Sequence, residues 1–309
     1  MNVNFYDAIA SNKRRSIALC TFFILIIGAL GMAFGVVLGD PGFATGLALI
    51  LAGGSAWISY YHSDSMVLAM SGARPVVHEQ YPFLDNIIEG LAIAAGVPKP
   101  RAYIIEDSAM NAFATGRDPQ HAVVCVTSGL LTRLNRAELE GVIAHEMSHV
   151  QNYDIRFMSL VVVMVGVITL LSDWFLRSLR WRGVGGSRRS SSDSRGSGGA
   201  VVVFLIIGLV LAILAPIVAA LIQAAVSRQR EFMADANGVR LTRYPKGLAD
   251  ALRKLGADTE PLEAANKATA HLYIVSPLMA HGGHVNSWFS THPPIEERIK
   301  RLEAMGATA

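Results

Sequence analysis

The sequence predicts a mainly α-helical protein with integral membrane helices and a soluble part that holds a small β-sheet. Three observations lead to this class. Hydrophobic residues make up 52% of the 309-residue chain and charged residues 17%, less charge than a soluble domain usually carries. Four apolar stretches interrupt the chain. The polar segments between them show mostly helical periodicity, with short β-branched runs in one region only.

The first apolar stretch, Ile17–Gly39, follows Lys13, Arg14 and Arg15. A signal peptide also opens with a basic cluster, but this run is too long and no small-residue cleavage site follows cleanly, so it reads as an uncleaved anchor. Only Asp40 and Pro41 separate it from the second stretch, Gly42–Tyr60, which suggests a tight hairpin. Both are long enough for a hydrocarbon core, which takes about 20 residues. The basic cluster places the N-terminus in the cytoplasm. Residues 1–60 thus form a transmembrane hairpin, and the chain returns to the cytoplasm near Tyr61.

Residues 61–156 read as the first part of a soluble domain. Leu84, Ile87, Ile88, Leu91 and Ala95 recur at helical spacing, with Gly96 and Pro98 as the stop. Arg101–Glu106 and His121–Thr127 read as strands. Between them lie Asn111, Ala112, Phe113 and Ala114, then a turn at Gly116–Pro119. Asn135 with Glu138 forms a capping-box pattern, and Leu139, Val142, Ile143 and Val150 give the helix that follows an apolar face.

Residues 157–226 form a second apolar hairpin. Its first arm, Phe157–Leu171 with a ragged extension to Leu176, carries Asp173 and reaches spanning length only by continuing the helix before it. Its second arm is Ala200–Ile222. Between them, residues 177–199 hold six arginines among Ser and Gly and read as a disordered linker. If the hairpin spans, those arginines lie on the side where the positive-inside rule disfavours them; if it only dips into the membrane, they stay in the cytoplasm. Residues 227–309 complete the soluble domain with helices at Arg228–Leu241, Pro245–Leu255, Glu260–Tyr273 and, after Pro293 and Pro294, Ile295–Met305.

The capped helix carries His145-Glu146-Met147-Ser148-His149. Residues four apart lie one turn above each other on a helix, so both imidazoles can grip one zinc ion with Glu146 beside it as a base for water. Zinc then lacks one protein ligand. Glu231 is the leading candidate, because Glu231 and Asp235 share a helical face; Asp235 would orient an imidazole. Asp154 could do the same or cap a backbone. The alternative for Glu231 and Asp235 is a solvated acidic face. If His149 and Glu231 share an ion, the chain between them crosses the membrane an even number of times. His62, His78, His121, His281 and His284 read as structural or loop residues, and Cys20 and Cys125 lack the spacing of a thiolate pair.

Four segments, Asn111–Gly116, His145–His149, Glu231–Asp235 and Ser290–Arg298, occur in the order seen in HtpX-type membrane zinc metalloproteases, to which CaaX prenyl proteases are more distantly related. The chain resembles that family over nearly its whole length. The resemblance implies a cytoplasmic zincin-like catalytic domain and an endopeptidase of the bacterial inner membrane, with its active site in the cytoplasm, cutting misfolded or damaged membrane proteins. It implies one Zn2+ held by His145, His149 and Glu231, with Glu146 as the base. It suggests His292 or Arg298 as the donor to the tetrahedral intermediate, and Asn111–Ala114 as a substrate-binding edge strand. His292 could instead be only a helix-entry residue.

Other classes fit less well. A net charge of +3 without a Lys/Arg block argues against nucleic acid. A transporter would place charges within several apolar runs. A non-catalytic chaperone or scaffold on the same fold is the remaining alternative, but decay would remove a ligand or the base, and all four are present.

Overall fold

The computed structural model describes residues 5–166, 228–265, 269–275, 277 and 293–306. The chain divides into two compact units: Met1–Ile17 with Tyr60–Val162 and Ile222–Ala309, and Ala18–Ser59 with Val163–Leu221. The helices are α1 (Phe5–Leu38), α2 (Pro41–Met70), α3 (Pro82–Ala95), α4 (Ser128–Arg133), α5 (Arg136–Gln151), α6 (154–166), α7 (Arg228–Thr242), α8 (Pro245–Ala257) and α9 (Ile295–Gly306). The strands are β1 (Arg74–Pro75), β2 (Arg101–Ile105), β3 (Ala112–Thr115) and β4 (Val123–Thr127).

Among the described helices, α2 is the one long and apolar enough to cross a membrane, with a mean hydropathy of 1.4 in its most apolar window. It runs well past Tyr60. Its backbone leaves helical geometry at His62 (φ −122°, ψ 16°), so the residue expected near a segment boundary marks a kink.

The sheet of the first unit is four-stranded, in the order β1-β2-β4-β3. β2 and β4 are parallel, with Tyr103 opposite Cys125, while β3 runs antiparallel to β4 with Phe113 opposite Cys125. β4 is buried throughout, as its unbroken apolar composition requires, and β3 forms the edge.

α5 is the central element of this unit. It packs against α3, β3, α7 and α8, and nearly all of its residues from Glu138 on are buried. Leu139, Val142, Ile143, Met147 and Val150 join Leu84, Ile88 and Leu91 of α3 and Leu248, Leu252 and Leu255 of α8 in one core. Close approach depends on glycine, as at Gly141 and Gly238. A Cβ at Gly141 would lie 2.6 Å from the Leu248 nitrogen, and one at Gly238 would lie 3.2 Å from the His145 nitrogen. The second contact brings α7 against the histidine-bearing face of α5.

The sequence left open whether α5 continues into the apolar stretch that follows, and it does not. Asn152 caps it, Tyr153 adopts a left-handed conformation (φ 59°), and α6 starts afresh at residue 154. Phe157–Val165 is mostly buried. One sequence expectation is corrected: the helix at Glu260–Tyr273 is absent from the described residues, which show turns and one 3-10 turn at Ala270–Leu272. Pro261 has no N–H to donate. The Asp107 carboxylate accepts hydrogen bonds from the Glu263 N–H (3.0 Å) and the Ala264 N–H (3.4 Å), giving the backbone a competing partner. The 177–199 linker, the second arm of the apolar hairpin, His281, His284 and His292 lie outside the described residues.

Candidate metal centre

The site begins with the start of α5. Asn135 Oδ1 accepts from the Glu138 N–H at 3.0 Å, and Glu138 Oε2 accepts from the Asn135 N–H at 2.9 Å. This reciprocal cap satisfies two donors that the first helical turn would otherwise leave without partners. Further along, His145 and His149 stack one turn apart, with their Nε2 atoms 3.3 Å from each other. Glu231, in the first turn of α7, brings one oxygen to 3.7 Å from His145 Nε2 and the other to 3.6 Å from His149 Nε2. All three residues are buried.

These separations, the last two to different Glu231 oxygens, leave room for one ion among the three residues. Bonds of about 2.0–2.2 Å in a tetrahedron set ligand atoms roughly 3.3–3.6 Å apart. The ring tautomers agree. His145 Nδ1 lies 2.9 Å from Asp235 Oδ1, and His149 Nδ1 lies 3.1 Å from Asp154 Oδ2. A carboxylate at Nδ1 fixes the proton there and leaves Nε2 as a lone pair. Both Nε2 atoms and a carboxylate thus converge in one buried space, where a cation, either a metal ion or a proton on an imidazole, balances the carboxylate. The donor set fits zinc.

The electrostatics carry the same requirement. Burial and the Arg298 charge lower the pKa of His145. Burial also disfavours a charged His149, but the Asp154 hydrogen bond and the Glu231 charge override it and push its pKa up to about 9. The site therefore holds a proton that a metal ion displaces on binding. Burial raises Glu146 to about 7, with Glu231 adding to the effect and the His149 charge opposing it. The Ala114 backbone N–H lies against the Glu146 carboxylate.

Asp235 and Arg298 form a buried pair behind His145. Arg298 donates from Nε to Asp235 Oδ2 (2.9 Å) and from Nη2 to Asp235 Oδ1 (2.7 Å). Its Nη1 donates to the Ile274 carbonyl (3.2 Å) and stands 3.7 Å from Glu231 Oε2. Burial alone would raise the Asp235 pKa, yet the guanidinium holds it at about 2. Asp235 is thus a fixed carboxylate that accepts from His145.

Asn111–Ala114 lies at the sheet edge. The Asn111 carbonyl accepts from the Thr127 N–H (3.0 Å), so alternation turns the Ala112 and Ala114 peptide groups outward. The Ala112 carbonyl accepts from the Ile274 N–H (3.0 Å), and Asn111 Nδ2 donates to the Val275 carbonyl (2.9 Å). The structure thus gathers His145, Glu146, His149, Asp154, Glu231, Asp235, Arg298 and Ala114 in one place. It also adds residues that no motif marked. Asn12 bonds Asp154, Arg230 stands beside it, and Ile274 lies on β3.

Residues 79–306 match the model of peptidase family M48. The protease HtpX homologue of Dictyoglomus turgidum is 47% identical, over 98% of this chain and 95% of its own length. That of Thermoanaerobacter pseudethanolicus is 46% identical over 97% of both chains. The crystal structure of S. mikatae Ste24p superposes with a TM-score of 0.49 at 20% identity, covering 96% of this chain and 67% of that one. By these matches, and with the buried His145–His149–Glu231 cluster in place, the chain belongs to peptidase family M48, among the HtpX proteases, and is a metalloprotease.

Proposed function

We propose that this protein is a zinc-dependent endopeptidase of the bacterial inner membrane, with several spans and its active site facing the cytoplasm, that degrades misfolded or damaged membrane proteins. The observation that carries the reading is the buried convergence of His145, His149 and Glu231, whose ligand atoms lie within 4.8 Å of one another, with Glu146 next to His145 in the chain. A zinc ion held there supplies Lewis acidity, polarising a scissile carbonyl and acidifying water. Glu146 would then take a proton from water and deliver it to the leaving amine. Asp235 and Asp154 hold the imidazoles in the ligand tautomer. Arg298 anchors Asp235 and Glu231, a placement that favours a positioning role over direct contact with the intermediate.

Substrate recognition follows from β3. The Ala112 carbonyl is taken by Ile274 and the Ala114 N–H faces Glu146. An extended polypeptide would therefore pair first with the outward Ala114 carbonyl and would have to displace Ile274 to reach Ala112, a main-chain mode indifferent to sequence and suited to unfolded substrates. The apolar helix α2 supports a membrane-embedded enzyme, and the Lys13–Arg15 cluster ahead of the first apolar stretch supports a cytoplasmic active site. The test is cleavage of an unfolded membrane protein by the purified wild type and by Glu146→Gln. The variant is expected to keep its zinc and lose at least about a hundredfold in rate. Substantial cleavage by zinc-loaded Glu146→Gln would reject the role of Glu146.

A further inference from the structure

Asn12 lies in the part of α1 that belongs to the same compact unit as the metal centre. It is buried although its helix is largely exposed around it. Its Nδ2 donates to Asp154 Oδ1 at 2.6 Å and to the Asn152 carbonyl at 2.9 Å. Its Oδ1 accepts from Arg230 Nη1 at 3.4 Å. Both amide protons and the carbonyl are therefore engaged. A side chain serving only helix packing could be apolar, because burying an amide costs free energy unless its polar atoms find partners.

The partners give the arrangement its meaning. Asp154 is fully buried, and its other oxygen holds His149 Nδ1 at 3.1 Å. Asn152 caps α5, one residue before the left-handed Tyr153 that sets where Asp154 lies. Arg230 precedes the third ligand, Glu231, and its Nε stands 3.9 Å from Asp154 Oδ1. One amide thus fixes the carboxylate behind a histidine, the turn that delivers it and the residue next to the glutamate. Elsewhere on the same helix the contacts are different in kind. Ser16 Oγ donates to the Asn12 carbonyl within α1, and Lys13 Nζ sits 4.4 Å above the Tyr153 ring.

We infer that Asn12 is a positioning residue of the metal centre, through which the N-terminal helix completes the hydrogen-bonded shell of His149. The inference rests on the reading of His145, His149 and Glu231 as zinc ligands. It makes α1 part of the site as well as an anchor.

Zinc affinity of the full-length protein, measured by competition with a chromogenic chelator, tests this without reference to turnover. Asn12→Ala is expected to weaken zinc binding about tenfold, the lower range for loss of an outer-shell partner. Ser16→Ala should leave it unchanged. In an Asp154→Ala background, Asn12→Ala should add less than about twofold, because residues acting through one group are not additive. Wild-type affinity in Asn12→Ala, or a full further tenfold loss in the Asp154→Ala background, overturns the role. If Asn12→Ala does not accumulate as folded protein, Asn12→Ser carries the same comparisons, since its hydroxyl is too short to reach both acceptors. A wild type that binds no zinc would instead overturn the ligand assignment itself.

Discussion

Replacing Arg298 by methionine keeps the bulk of the side chain and removes its charge. The guanidinium is fully buried, makes two charge-assisted bonds to Asp235 at 2.7 and 2.9 Å, and also holds the Ile274 carbonyl. Two routes give the size of the loss. Holding Asp235 at about 2 against an ordinary 3.8 corresponds to roughly 2–3 kcal/mol. Breaking a buried pair by removing one partner typically costs about 3–5 kcal/mol. The second figure is expected, because methionine also leaves the Ile274 carbonyl without its donor and Glu231 without a nearby cation. At about 2–4 °C per kcal/mol, the melting temperature of the metal-free protein should fall by roughly 6–20 °C. Calorimetry in detergent with excess chelator measures this directly, since bound zinc would add its own stabilisation. The pH dependence has a defined sign. Asp235 has a depressed pKa in the folded state, so its contribution is complete above the unfolded value of 3.8 and is lost as pH falls toward 2. The gap between wild type and Arg298→Met should therefore narrow on acidification below about pH 4. A melting temperature within about 2 °C of wild type at neutral pH would show that the pair contributes little.

Glu231→Ala should lose zinc readily to a chelator, since two histidines alone hold the ion poorly; full loading under competition would exclude Glu231 as a ligand. Asp235→Ala should weaken zinc binding or activity about 10–100-fold, and an effect larger than that of Glu231→Ala would reverse their assigned order. Zinc binding to the metal-free protein near neutral pH should release a proton, because His149 is held at about 9. Titration calorimetry in buffers of different ionisation enthalpy reads this out, and no buffer dependence would contradict it. Cysteines at the exposed positions Val77 and Arg253 should be labelled from the same side of the membrane, the cytoplasmic one. Labelling from opposite sides would break the even-crossing requirement.

What could be read from the sequence was whatever depends on local spacing. The capping box at Asn135, the interval between His145 and His149, and the shared face of Glu231 and Asp235 are one-turn relations, and all recur in the structure. β2 and β4 followed from β-branched runs, the edge position of Asn111–Ala114 came from family resemblance, and the two-residue β1 was not foreseen. The error in helix placement arose where a distant group competes for the backbone. The carboxylate of Asp107 draws the Glu263 and Ala264 N–H groups out of a helix, and the left-handed Tyr153 settles a continuation of α5 that the sequence had left open. Asn12 and Ile274 were invisible for a related reason. Each acts through contacts across more than a hundred residues, one by a side-chain amide and one by a peptide group, and neither leaves a local pattern.

The most direct test of the metal centre is anomalous diffraction from crystals of the zinc-loaded protein. One peak is predicted, about 2.0–2.1 Å from Nε2 of both His145 and His149 and about 2.0–2.2 Å from an oxygen of Glu231. A peak bound through Nδ1, a peak that excludes Glu231, or no peak at this triad in fully loaded protein would contradict the account.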